Sequence, residues 1–147
     1  MDGELTKDAG RERAPLHLWV IGLMLVLWNG LGVALAIAAQ TARMPSVDPE
    51  ISAYFDNQPL WFVIVADLGP LAGLAGAVAL LMRSRTAAWL FVAQLAITGL
   101  ANSYEVLAGS SLLLTSAETR TASLVLAIFI AAEIAYAWFL TRKRVLY

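Results

Sequence analysis

The chain has 147 residues, of which 60% are hydrophobic and only 14% charged, and its mean hydropathy is +0.72; an average soluble domain is about 45–50% apolar and about 25% charged. Ten basic and eleven acidic residues leave a formal net charge of −1, which excludes a nucleic-acid partner, because phosphate binding needs a concentrated basic face. With no cysteine and one histidine, zinc fingers, iron–sulfur clusters, disulfides and paired-histidine haem ligation are excluded, and neither a metal nor a cofactor is expected.

Residues 1–15 form a polar tail of mixed charge, expected to lie outside the membrane, with Pro15 placed where a helix starts. Crossing a hydrocarbon core of about 30 Å takes about 20 apolar helical residues, and four stretches qualify, at about 16–39, 60–82, 87–108 and 121–140. The prediction is an all-α membrane protein, a four-transmembrane-helix bundle occupying residues 16–140. Span one is read as a retained helix and not a cleaved signal, since its predominantly apolar stretch of 24 residues, interrupted by Asn29, exceeds the about 7–15 of a signal core and its leader is acidic. The connection from Gln40 to Pro59 is broken by Pro45, Pro49 and Pro59, and Asp48 to Phe55 within it reads as a short amphipathic turn. Arg83 to Thr86 is a tight turn, so spans two and three are antiparallel neighbours. Gly109 to Arg120 is a connection of moderate length, and residues 141–147 read as a basic tail.

Basic residues assign the orientation. Lys7, Arg11, Arg13, Arg83, Arg85, Arg142, Lys143 and Arg144 fall on one side, and only Arg43 and Arg120 on the other. Both termini are therefore expected in the cytoplasm.

Ionisable groups inside a span are costly, which makes them candidates for function. Asp67 lies about 10 Å from the outer end of span two, Asn102 about 9 Å and Glu105 about 5 Å from that of span three; they form a candidate outer layer. Gln94, Glu133 and Asn29 lie deeper and form a second candidate layer. On span three, Gln94, Thr98, Asn102 and Glu105 share a stripe of roughly 80°, expected to face the bundle interior or a partner. Asp67 stands beside Pro70, which frees a carbonyl one turn back. Glu133, with Phe129, Ile130 and Tyr136 nearby on its helix, is expected either to carry a proton or to meet a polar partner such as Gln94 or a phenol. His17 marks the inner mouth of span one and reads as an interfacial aromatic.

Small residues set packing expectations. Gly69, Gly73 and Gly76 on span two and Ala127, Ala131 and Ala135 on span four have the spacing that lets helices approach closely. Trp19, Trp61, Trp89 and Trp138 lie near span ends as interface anchors, whereas Trp28 lies deep beside Asn29.

The run Leu27-Trp28-Asn29-Gly30-Leu31-Gly32, followed by Pro59-Leu60-Trp61 opening span two, Gly73 to Gly76 within it and Leu81-Met82-Arg83 closing it, resembles a family of small bacterial four-helix membrane proteins that often carry the label sugar transporter. The likeness covers roughly spans one to three, with span four only loosely similar. It implies a bacterial inner-membrane setting and a transport role, and no functional motif of the family falls on Asp67 or Glu133.

No nucleophile is paired with a base, and no phosphate-binding loop is present, so an enzyme is not expected. The expected function is a structural or accessory subunit of a membrane assembly, with the bilayer and either further copies or a larger complex as partners. The alternative is an oligomeric transporter of a small solute, a sugar or a proton-linked substrate, because four helices enclose little space alone.

Overall fold

A computed structural model describes residues 15–40, 58–107 and 117–147. The amphipathic turn expected at residues 48–55, Arg43 and the polar leader lie outside the described residues.

The described residues form four helices, α1 (Leu16–Gln40), α2 (Leu60–Leu81), α3 (Thr86–Leu107) and α4 (Ala117–Arg142). All four are long and apolar enough to cross a membrane, and no strand occurs among the described residues. The chain is an all-helical, multi-pass membrane protein by architecture. The starts of α1 and α2 coincide with the hydropathy reading, four other limits differ by one residue, and the largest change is at α4, which is helical from Ala117 to Arg142 rather than 121 to 140. Hydropathy measures the depth of hydrocarbon, while helical hydrogen bonding continues into the polar interface.

Helix α2 is the centre of the packing, with α1 on one side and α3 on the other, and α4 lies against α3. The reason is local. Gly69, Gly73 and Gly76 are buried, and each side chain they lack is replaced by an atom of a neighbouring helix. A Cβ on Gly69 would stand 3.1 Å from Thr98 Oγ1, and one on Gly76 would stand 2.8 Å from the Phe91 ring. The glycine stripe therefore seats α3 directly on the α2 backbone, as expected of small-residue interfaces in lipid. On the other side Gly22 of α1 receives Leu81, and Pro70 packs against Gly32. Helix α2 stays continuous through Pro70.

The second small-residue stripe behaves differently. Ala127, Ala131 and Ala135 are exposed, and α4 instead buries Ile130, Glu133, Ala137 and Leu140. Within this chain the alanine stripe therefore points outward and seats no neighbouring helix. A deletion of side-chain volume permits close approach but supplies little attraction, and here the larger buried surface of Ile130 and Leu140 sets the rotation of α4.

Helices α1 and α4 meet through side chains, not closely approaching backbones. Trp28 and Phe129 lie with ring centroids 5.2 Å apart, and His17 and Tyr136 stand edge to face at 6.1 Å. Bulky rings hold these two helices apart, which leaves a cleft between them.

The apolar core gathers at the end that carries the α2–α3 turn, from Leu18, Leu80, Ala87, Phe91, Leu140, Val145 and Leu146. This corrects the reading of residues 141–147 as a basic tail, since Val145 and Leu146 are buried. Both α2 and α4 end in the same device. After α2, Arg83 N–H donates to Leu80 O (2.9 Å) and Ser84 N–H to Ala79 O (2.8 Å), with Arg83 at φ 59. After α4, Arg144 N–H donates to Thr141 O (3.1 Å) and Val145 N–H to Leu140 O (3.0 Å), with Arg144 at φ 56. These are Schellman caps with arginine in the left-handed position where glycine is usual. The cap turns the chain back so that Tyr147 N–H donates to Arg83 O (2.8 Å), Arg83 Nε donates to Val145 O (2.9 Å), and the Arg83 guanidinium stacks over the Tyr147 ring at 5.0 Å.

Two outcomes follow from this end of the molecule. Leu146→Ala empties a fully buried site and is expected to cost about 2–4 kcal/mol, read as a lower thermal midpoint in detergent micelles. Arg144→Gly relieves a strained φ and is expected to raise the midpoint, by up to about 1 kcal/mol of stability. Arg83→Gly removes the same strain but also the Val145 and Tyr147 contacts, so it is expected to lower the midpoint.

Candidate functional site

Three polar residues are buried in the middle of the bundle, Asn29 of α1 at 3% exposure, Gln94 of α3 at 4% and Glu133 of α4 at 3%. They form the deeper layer that the sequence predicts, and the structure joins them. Asn29 Nδ2 donates to Glu133 Oε1 (3.1 Å) and to Leu25 O (3.0 Å), and Gln94 Nε2 donates to Asn29 Oδ1 (3.0 Å). Asn29 is the hub, because an amide offers both donors and an acceptor. Lipid supplies neither, so Asn29, Gln94 and Glu133 turn to one another across three helices.

Gly73 makes room for this junction. A Cβ there would overlap Asn29 Oδ1 and stand 2.6 Å from Gln94 Nε2. The glycine that reads in sequence as a packing residue therefore also serves the polar site, holding open the volume in which α1 and α3 exchange a hydrogen bond over the α2 backbone.

The network is incomplete. Gln94 Oε1, Glu133 Oε2 and the Tyr136 hydroxyl are buried without a hydrogen-bond partner, in a setting where most buried polar atoms have one. Two hollows flank them. One, of about 170 Å³, is bordered by all four helices, including Asn29, Gly32, Pro70, Gln94 and Thr98. The other, of about 290 Å³, is the cleft between α1 and α4, bordered by Ile21, Met24, Leu25, Phe129, Glu133 and Tyr136. Asn29 borders the first and Glu133 the second, so the hydrogen bond between them lies between the two hollows.

The outer layer is less buried than the deeper one. Asp67 is half-buried, and its side chain accepts a hydrogen bond from Gln40 Nε2 at the end of α1, not from Asn102. Asn102 and Glu105 are half-buried on α3. The polar stripe of α3 thus divides: Gln94 and Thr98 face the interior against Gly73 and Gly69, while farther along the helix Asn102 and Glu105 lie only partly covered. Around that end, Tyr104 packs on Trp61 and Phe62, with ring centroids 4.7 and 4.9 Å away. Sequence reading misses Gln40, whose only signal is its place at the end of an apolar span, and it assigns Glu133 a partner of the right kind but not the residue. Trp28 is 49% exposed and rests on Phe129, so it lies on the flank of the site.

Among the described residues no group of three or more histidine, aspartate or glutamate side chains is placed to hold a metal ion. No family model matches the chain, and no curated protein and no solved structure matches it. The class that the fold and its buried site define is a four-helix membrane protein with a polar junction at its centre.

Proposed function

We propose that the chain is a multi-pass protein of the bacterial inner membrane, with both termini cytoplasmic, that serves as a structural or accessory subunit of a membrane assembly. The observation carrying this reading is the Asn29–Gln94–Glu133 junction, in which the deepest polar groups bind one another across α1, α3 and α4. Such bonds hold helices in register, at about 0.6–2 kcal/mol each. Extraction into nanodiscs at native expression, followed by native mass spectrometry, tests it. A stoichiometric complex with another membrane protein is the expected result, and a chain that runs alone at every concentration overturns it. Tags on both termini are expected to survive a periplasmic protease in intact spheroplasts, and cleavage of either overturns the orientation.

A second reading, an oligomeric transporter of a small sugar or proton-linked solute, is favoured by one observation, the 290 Å³ cleft that Glu133 borders. The resemblance through Leu27 to Gly32 points the same way. Under this reading uptake falls in Glu133→Gln and not in Asp67→Asn. Equal uptake in both variants and the parent removes it.

A further inference from the structure

Among the described residues Glu133 is the only deeply buried acid, and none of them forms an ion pair with it. No lysine or arginine occurs in Leu16–Ala38, Leu60–Leu81 or Thr86–Leu107, and on α4 the basic residues are confined to its ends. One carboxyl oxygen is held by Asn29 and the other has no partner. A carboxylate in such a place normally meets a cation or a proton.

The space beside it has a definite chemistry. The cleft between α1 and α4 is walled by aliphatic side chains and by the rings of Phe129 and Tyr136. Met24 on its rim is 63% exposed, so the cleft opens on the flank of the bundle, where lipid lies. Its volume suits a molecule of about a dozen heavy atoms. Apolar walls accept a hydrocarbon body, aromatic faces attract a quaternary or protonated nitrogen, and a carboxylate at low dielectric supplies the countercharge without needing direct contact.

We propose that the α1–α4 cleft binds a small lipophilic monocation, with Glu133 as its countercharge and Phe129 and Tyr136 as its aromatic walls. This goes beyond both functional readings, since a subunit and a transporter can each carry such a site. Protonation of Glu133 removes the countercharge, so protons compete with the ligand. On α1 the titratable group on this side is His17, against Tyr136, and on α4 it is Tyr136 itself; the α2 and α3 residues facing the junction, Gly73 and Gln94, have none.

The test uses the full chain in nanodiscs of zwitterionic lipid, titrated calorimetrically with benzyltrimethylammonium, with empty nanodiscs as the blank. Saturable one-to-one binding is expected, weakening at least tenfold from pH 8.5 to pH 5. Neopentylbenzene, which replaces the nitrogen by carbon at the same shape, is expected to bind at least tenfold more weakly. Glu133→Gln is expected to abolish cation binding and Asp67→Asn to preserve it. No saturable binding, a pH-independent affinity, equal binding of the uncharged isostere, or full affinity in a folded Glu133→Gln chain each overturns the proposal. The pH series and the isostere need only the parent protein, so they decide the matter even where a variant does not fold.

Discussion

Gly73→Ala is expected to produce the largest loss of stability of any single methyl addition in the bundle. The new Cβ falls on Asn29 Oδ1 and within 2.6 Å of Gln94 Nε2, and neither neighbour can retreat cheaply. Asn29 is tied to Leu25 O and Glu133, and Gln94 to Asn29, so displacement of either breaks a hydrogen bond where no water replaces it. Overpacking costs about 1–3 kcal/mol, and an orphaned buried amide adds about 1–3 kcal/mol. The measurement is the thermal midpoint in detergent micelles, followed by Gly73→Ala/Gln94→Ala, which removes one of the colliding groups. Partial recovery in the double variant is expected, a coupling of the kind that contacting residues show. A midpoint unchanged in Gly73→Ala would mean that α2 does not approach the junction this closely. Gly30 and Gly99, where a Cβ meets nothing within 4 Å, are the controls, and alanine there is expected to be neutral or slightly favourable.

The second large effect separates two substitutions at one position. Glu133→Gln keeps an oxygen to accept the Asn29 hydrogen bond and keeps the size of the side chain, so assembly is expected to survive with a change of about 1 kcal/mol. Glu133→Lys puts a positive charge among Leu25, Phe129 and Tyr136 and leaves the Asn29 donor facing another donor. Burying an unpaired charge costs about 3–5 kcal/mol or more, and the expected outcome is a chain that does not accumulate in the membrane. Expression level and the monodispersity of the solubilised protein read both. If both variants were equally tolerated, Glu133 would face water and the junction would not exist as described.

Much of this site is legible in sequence because depth in a membrane is a linear quantity. A rise of about 1.5 Å per residue places Gln94 and Glu133 at similar depth, with Asn29 nearer the middle of span one, and the cost of burying polar groups in lipid says that they must find partners. Depth alone does not choose among partners at the same level. Azimuth does, and azimuth depends on which face of each helix turns inward. The same gap explains Asp67, whose depth matches Asn102 but whose rotation brings it to Gln40. It explains the alanines of α4 as well: Ala127, Ala131 and Ala135 have the spacing of a packing seam, yet they point outward, because spacing defines a stripe without saying which way the helix is turned.

The number of spans, their approximate limits, the tight turn at residues 83–86 and the presence of a deep polar layer were determined by the amino-acid sequence alone, since hydrophobic length, charge and turn chemistry are local properties. Only the tertiary structure decided that Asn29 joins Gln94 and Glu133, that Gly73 holds open the space for them, that Val145 and Leu146 fold back into the core, and that α1 and α4 stand apart around a cleft. These arrangements depend on the rotation and closest approach of four helices at once. That is settled by the sum of many side-chain contacts between distant parts of the chain.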